Sequence, residues 1–268
     1  MAEEREEGRE GGEAYELSPS GNPILRHKPR KMPFQLAHGD SENIDRISAH
    51  IEKHLGPVDS VFHEILSDLV HVDVHMVKPA PERDCYSLVT SGMSDAPMTV
   101  PEGVEALRFA ELMIQLPPDW PLDRIAAPPG AKGQEGDAET AASERWYWPI
   151  RWLKTLARLP HEYDTWLGES HTVPNGDPPE PFADDTKLCG MLVVPPMGAS
   201  QEFATLKVNE DKTIFFYQLM PIYAEEMDLK LRKGAEALID RFDRHQISVI
   251  VNPRRPNVAA RKKWLGLF

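Results

Sequence analysis

Between His71 and Val77 the chain reads HVDVHMV, polar and apolar residues in alternation. That is the period-two signature of a half-buried strand. On such a strand Val72, Val74 and Met76 share one face, and His71, Asp73, His75 and Val77 share the other. Lys78-Pro79-Ala80-Pro81 turns the chain, because proline cannot extend an interior ladder. A second strand is predicted over 84–91, running into the small-residue turn Gly92-Met93-Ser94-Asp95. Further strands are predicted at 60–66, 104–116, 187–196, 213–223 and 247–251, with a short one between 197 and 212. KLCGMLVVPP and TIFFYQLMPIY are continuous apolar runs, as expected of central strands bounded by turns.

Helical spacing is confined to three places. Ile44, Ile47, Ile51 and Leu55 predict a helix over 42–55, with Asp40 or Ser41 as its cap and Gly56-Pro57 as its stop. Ile150, Leu153, Leu156 and Ala157 predict a second over 148–159, with Pro149 in its first turn and Pro160 at its end. Met227, Leu231, Leu238 and Phe242 predict a third region over 224–244, with acids at its start and Gly234 splitting it. These elements imply an α+β (mixed α/β) fold: one domain, with a central mixed, largely antiparallel sheet flanked by helices.

The organisation follows from composition. Residues 1–15 form an acidic tail with little to bury and are expected to be disordered. Residues 16–39 form an extended Pro-rich, basic segment, and 40–252 the folded domain. Pro, Gly, Ala and charge dominate 117–142, which reads as an exposed loop. The tail 253–268 is basic and aromatic, and its Trp264, Leu265, Leu267 and Phe268 favour packing back over reaching for nucleic acid.

Hydrophobic residues make up 41% and charged residues 27%, ordinary for a folded soluble protein. The net charge of −13 argues against generic binding to nucleic acid or anionic membrane and suits a basic protein partner. Cys85 and Cys189 lie in apolar runs, with no CxxC and no disulfide framework, which fits a reducing cytoplasm. The N-terminus lacks the apolar core of a signal peptide, and no run approaches the ~18 apolar residues that span a bilayer.

Candidate chemistry is sparse. His71, Asp73 and His75 on one strand face could meet a divalent metal, which would make the chain a metal-dependent enzyme. A spacing of two is common to any amphipathic strand, so a polar sheet face explains the same residues. His50 and His54 lie four apart on a helix without a third ligand. Ser94 sits in Gly-Met-Ser-Asp, which lacks the Gly-x-Ser-x-Gly of a nucleophile elbow. Turn chemistry, with Ser94 and Asp95 bonding backbone N–H groups, accounts for it better. The neighbouring acids Asp184-Asp185 and Glu225-Glu226 point apart, unlike paired acid/base catalysts.

The stretch HVDVHMVKPAPERDCYSLVTSGMSDAPM (71–98) resembles the suppressor of fused family in its bacterial, single-domain form. LVTSGMSD (88–95) is the closest matching word. EALRFAELMIQLP (105–117), WPIRWLKTLARL (148–159) and FYQLMPIYAEEMDLKLRKGAEALIDRF (216–242) follow in the family's order. The resemblance spans about 40–252. It implies a non-enzymatic protein-binding domain with no cofactor, whose partner is a toxin or a regulatory protein. It also implies a cytoplasmic setting and a role like that of bacterial immunity proteins. Asp73, Tyr86, Ser94 and Asp95 are the binding residues expected in the motif stretch. The animal relatives grip a transcription factor peptide and carry a second, C-terminal domain; that domain is expected to be absent here.

Overall fold

A computed structural model describes residues 7–10, 13–28, 30, 33–64, 66–122 and 137–260. The order along the chain is β1 (Glu7–Glu10), β2 (Glu13–Leu17), β3 (Pro23–Ile24), α1 (Ser41–Leu55), β4 (Val58–Phe62), β5 (Asp73–Val77) and β6 (Tyr86–Ser91). Then come β7 (Ala110–Leu116), α2 (Asp137–Glu162), β8 (Thr172–Pro174), β9 (Gly190–Val194), β10 (Thr205–Lys207) and β11 (Thr213–Ile222). Helices α3 (Ala224–Lys233) and α4 (Ala235–Arg244) follow, separated by Gly234 as expected. The main sheet runs β4-β5-β6-β7-β11-β9-β8, and β10 pairs with the start of β11. Only β7 and β11 are parallel; every other pair is antiparallel. This is the mixed, largely antiparallel α+β sheet that the sequence implied.

The strand alternation distributes the core over two faces. Val72, Val74 and Met76 join Leu88, Leu112, Ile114 and Leu116 against Trp148, Ile150, Leu153 and Leu156 of α2. On the opposite face Val77, Val89, Met113 and Phe216 meet Ile47, Ile51 and Leu55 of α1. Further along that face Leu192, Val194, Met220 and Ile222 meet Leu238 and Phe242. At ~1.5–3 kcal/mol for each fully buried aliphatic or aromatic side chain, these clusters are the principal stabilising term.

The parallel join is short. β7 and β11 stay in register from Ala110/Phe215 to Met113/Gln218 and no further. Beyond that point Gln115 O accepts from Val251 N at 2.9 Å, so a returning segment lies beside β7 instead of β11. The strand predicted at 247–251 is therefore a strap with one bond to the sheet, and Ser248 Oγ bends it by accepting from Ile250 N at 3.1 Å. Its hydrogen-bonding side toward the sheet has no second strand to complete a ladder.

Other boundaries also moved. The predicted strand 104–116 begins only at Ala110, because a turn at Gly103 and a single 3-10 turn over Glu105–Leu107 take up its first half. The strand predicted at 60–66 is β4, Val58–Phe62. β8 was not anticipated; it is three residues long and lies in a segment dominated by turn residues. Helix α2 starts at Asp137, inside the predicted loop 117–142, and carries Pro149 and Pro160 within it. Residues 137–148 hold several Ala and Glu, good helix formers that extend the helix upstream of Pro149. The remainder of that loop, 123–136, and Trp264, Leu265, Leu267 and Phe268 lie outside the described residues.

The acidic N-terminus, expected to be disordered through residue 15, contributes β1 and β2 to a small antiparallel sheet with β3. The register pairs Glu10 with Glu13.

Candidate partner-binding groove

The signature stretch turns out to be a scaffold joint. Gly92 adopts φ +107°, and the chain enters a 3-10 turn over Met93–Asp95. Glu111, on β7, is fully buried beneath this turn. Its carboxylate accepts from Gly92 N at 3.0 Å, Ser94 N at 3.0 Å, Ser94 Oγ at 2.7 Å and Thr90 Oγ1 at 2.6 Å. Burial pushes the Glu111 carboxyl above the usual range, opposed by the Thr90 and Ser94 donors. On the outer side, Asn43 Nδ2 of α1 donates to Ser94 Oγ at 3.1 Å and to Asp95 Oδ1 at 2.6 Å. Asp95 Oδ2 also accepts from Asp40 N at 3.0 Å, so the turn fixes the start of α1.

The four residues expected to bind a partner do not share a surface. Asp73 and Ser94 are buried, Tyr86 is half-buried against the α2-side core, and Asp95 is bonded to α1. The metal reading fails on geometry. His71 precedes β5, so strand alternation does not govern it; its Nδ1 lies 2.7 Å from Ser67 Oγ and its Nε2 lies 3.1 Å from Asp73 Oδ1. Asp73 also accepts from His63 Nδ1 at 2.8 Å and Glu64 N at 3.2 Å. His75 turns instead to Ser91 Oγ at 2.9 Å, and burial lowers its pKa. Among the described residues no three His, Cys, Asp or Glu side chains are grouped to hold a metal ion. His50, stacked between Phe203 and Phe216, is a core histidine.

An apolar-walled groove among the described residues lies elsewhere, where β7 and β11 part. There Val194 and Met220 on the sheet, Ile239 and Phe242 on α4, and Val249 on the strap wall a groove of about 450 Å³. The sequence explains the position. The sheet splits because β7 and β11 keep only four register pairs, the strap fills one side of the split, and α4 roofs the other. Gln115 lines the floor; its Oε1 accepts from Gln218 Nε2 at 3.1 Å, and Gln218 Oε1 accepts from Met197 N at 2.8 Å. Glu82, Asp84 and Asp243 stand at the groove and are exposed.

The strap is held from the far end. Arg255 is buried and paired with fully buried Glu226 through NH1–Oε1 at 2.8 Å and NH2–Oε2 at 2.5 Å. Arg255 NH2 also donates to Pro221 O at 2.9 Å, and the guanidinium lies 4.9 Å from the Tyr223 ring centre. The start of the basic tail is thus tied onto the fold by Arg255, while the residues on which the packing-back expectation rested lie outside the described residues.

Glu111, Gln115 and Arg255 all escaped the sequence reading. One signal was present for the first two. They are the polar residues of AELMIQL, a strand read as covered on both faces, where a polar side chain needs a partner.

With this geometry in hand, the family can be settled. The family model described as Suppressor of fused protein (SUFU) matches residues 68–256, well over half of the chain. The chain belongs to the suppressor of fused family. The four ordered words in the sequence all fall inside the matched region. Solved SUFU structures share the fold. A SUFU homologue from Neisseria gonorrhoeae aligns with TM-score 0.56 and 18% identity, over 83% of this chain and all of its own. A chain of the Sufu–Fu complex crystal structure aligns with TM-score 0.53 and 14% identity, over 84% of this chain and 93% of that one. Drosophila Suppressor of Fused aligns with TM-score 0.52 and 12% identity, over 80% of this chain and 50% of that one. No curated protein matches the sequence. SUFU domains are protein-interaction domains. Among the described residues no helix is long and apolar enough to cross a membrane.

Proposed function

We propose that this chain is a non-enzymatic protein-binding domain that acts by occlusion, covering the working surface of a bacterial toxin or of a regulatory protein in the cytoplasm. The observation that carries the reading is the SUFU match over 68–256, in a family with one solved member in complex with a protein. Two features support it. Ser94, Asp73 and the Nε2 of His75 in the signature stretch are engaged in internal bonds that shape the turn and the sheet. The surface is strongly acidic, at a net charge of −13, which accelerates encounter with a basic partner. No cofactor enters this reading.

Affinity purification of the tagged full chain from its native host, followed by reconstitution with the purified partner, tests it. The expected result is a stoichiometric complex that masks the partner's activity. Failure to retain any protein, across growth conditions in which the chain is expressed, contradicts it.

A further inference from the structure

We propose that the groove at the β7–β11 split receives an extended segment of a partner protein, in which an apolar side chain is flanked by lysine or arginine. This rests on the protein-binding reading above and names the surface and the partner's chemistry. Three observations converge on it.

The first is shape. The groove's volume of about 450 Å³ falls within the ~300–1,000 Å³ range of ligand sites. Its walls, Val194, Met220, Phe242 and Val249, are apolar, and Ile239 at 37% and Met197 at 51% exposure bring apolar surface to its mouth. An apolar anchor side chain is what such a pocket accepts.

The second is the floor. Gln115 is 2% exposed, and its Oε1 and backbone carbonyl are both engaged. Its Nε2 has no acceptor among the described residues. It is not among the fully buried polar atoms left without a partner, so this amide donor is open to the groove that its side chain lines. A helical ligand keeps its interior carbonyls in its own ladder. An extended segment presents free carbonyls, one of which laid across the floor can accept from this open donor.

The third is charge. Glu82, Asp84 and Asp243 are exposed at the groove, and none is in an ion pair among the described residues. Arg83, between the first two, does not neutralise them outward. Its guanidinium donates inward to Leu55 O at 2.7 Å, Cys85 O at 2.6 Å, Lys78 O at 3.1 Å and Ser87 Oγ at 3.2 Å. With Arg83 the one cation among the groove-lining side chains, the lining is net acidic, and a ligand with cations on either side of its anchor meets three acids, none of them in an ion pair among the described residues.

The test is fluorescence anisotropy on the full chain with an eight-residue labelled peptide whose central Leu-Phe pair is flanked on each side by two lysines. One control replaces the lysines with glutamates, and another replaces Leu-Phe with Ser-Ser. The lysine peptide is expected to bind about ten-fold or more tightly than either control in low salt. Ile239→Arg, a change at a partly exposed helix position, is expected to weaken it by about ten-fold. The double variant Asp84→Lys with Asp243→Lys is expected to reverse the preference toward the glutamate peptide. Circular dichroism of each variant establishes that the fold is kept.

The proposal is overturned if the lysine peptide binds no better than its controls, or if Ile239→Arg binds it as wild type does. It is equally overturned if sedimentation shows a wild-type dimer that Ile239→Arg dissolves, since the groove then holds a second copy. A host partner that Ile239→Arg still binds removes the groove and leaves the protein-binding reading standing. The absence of any host partner counts against that reading, while the peptide result decides the groove alone.

Discussion

Gly92 sits where no other residue fits. A Cβ at this position would lie 1.7 Å from His71 O, and φ is +107°. Gly92→Ala is expected to cost about 3 kcal/mol or more, read as a fall in the urea midpoint, because it combines backbone strain with a backbone clash. Glu111, beneath the same turn, gives a pH signature. Burial holds its proton more tightly in the folded chain than in the unfolded one. Its contribution to stability is therefore greatest below the ordinary carboxylate range and declines as pH rises through that range toward the folded value. Stability measured for wild type relative to Glu111→Gln is expected to fall with rising pH over that window; a flat difference would contradict the assignment. Gly92, Ser94 and Asp95 were legible as turn residues because turn chemistry is local. Glu111 was not, because Thr90 and Ser94 lie 21 and 17 residues earlier and meet it only once the strands pair.

At the scale of elements, two joints hold the second face of the sheet. Asn43 ties the start of α1 to the signature turn through Ser94 and Asp95. Asn43→Ala is expected to cost about 1–3 kcal/mol, since it leaves the buried Ser94 short of a partner, and hydrogen exchange should quicken in α1 more than in α4. Arg255 ties the strap to α3. Arg255→Met alone leaves Glu226 buried and uncompensated, so a loss of about 3–5 kcal/mol is expected, and adding Glu226→Met should recover part of it. A double-mutant cycle on denaturation free energies checks the sign of the coupling. The helices were legible from apolar spacing, and the break at Gly234 from glycine's poor helix propensity. The strap at 247–251 misled because ISVIV has strand composition. Its neighbours in space, β7 and β11, are already committed, and composition does not record that.

At the scale of the molecule, acid sensitivity follows from its histidines. Burial lowers the pKa of His50, His75 and His161 and, with Lys230 nearby, pushes that of His171 down to about 4. A histidine lowered in this way stays neutral when folded and gains a proton when unfolded. Stability should therefore be lost as pH falls from ~6.5, by up to about 1.4 kcal/mol per pH unit for each such proton. Thermal midpoints between neutral pH and pH ~4.5 should fall steeply, and His171→Gln should soften the slope. The fold and its family could be read from ordered words scattered over the chain. The partner surface could not, because the groove is assembled from β7, β9, β11, α4 and the strap, no two of which announce each other in sequence. The most direct measurement is site-specific photocrosslinking in the native host, with a benzophenone side chain placed at Ile239 and, as a remote control, at exposed Leu66. The account predicts a covalent adduct with one protein from position 239 and none from 66; absence of an adduct at 239 would contradict it.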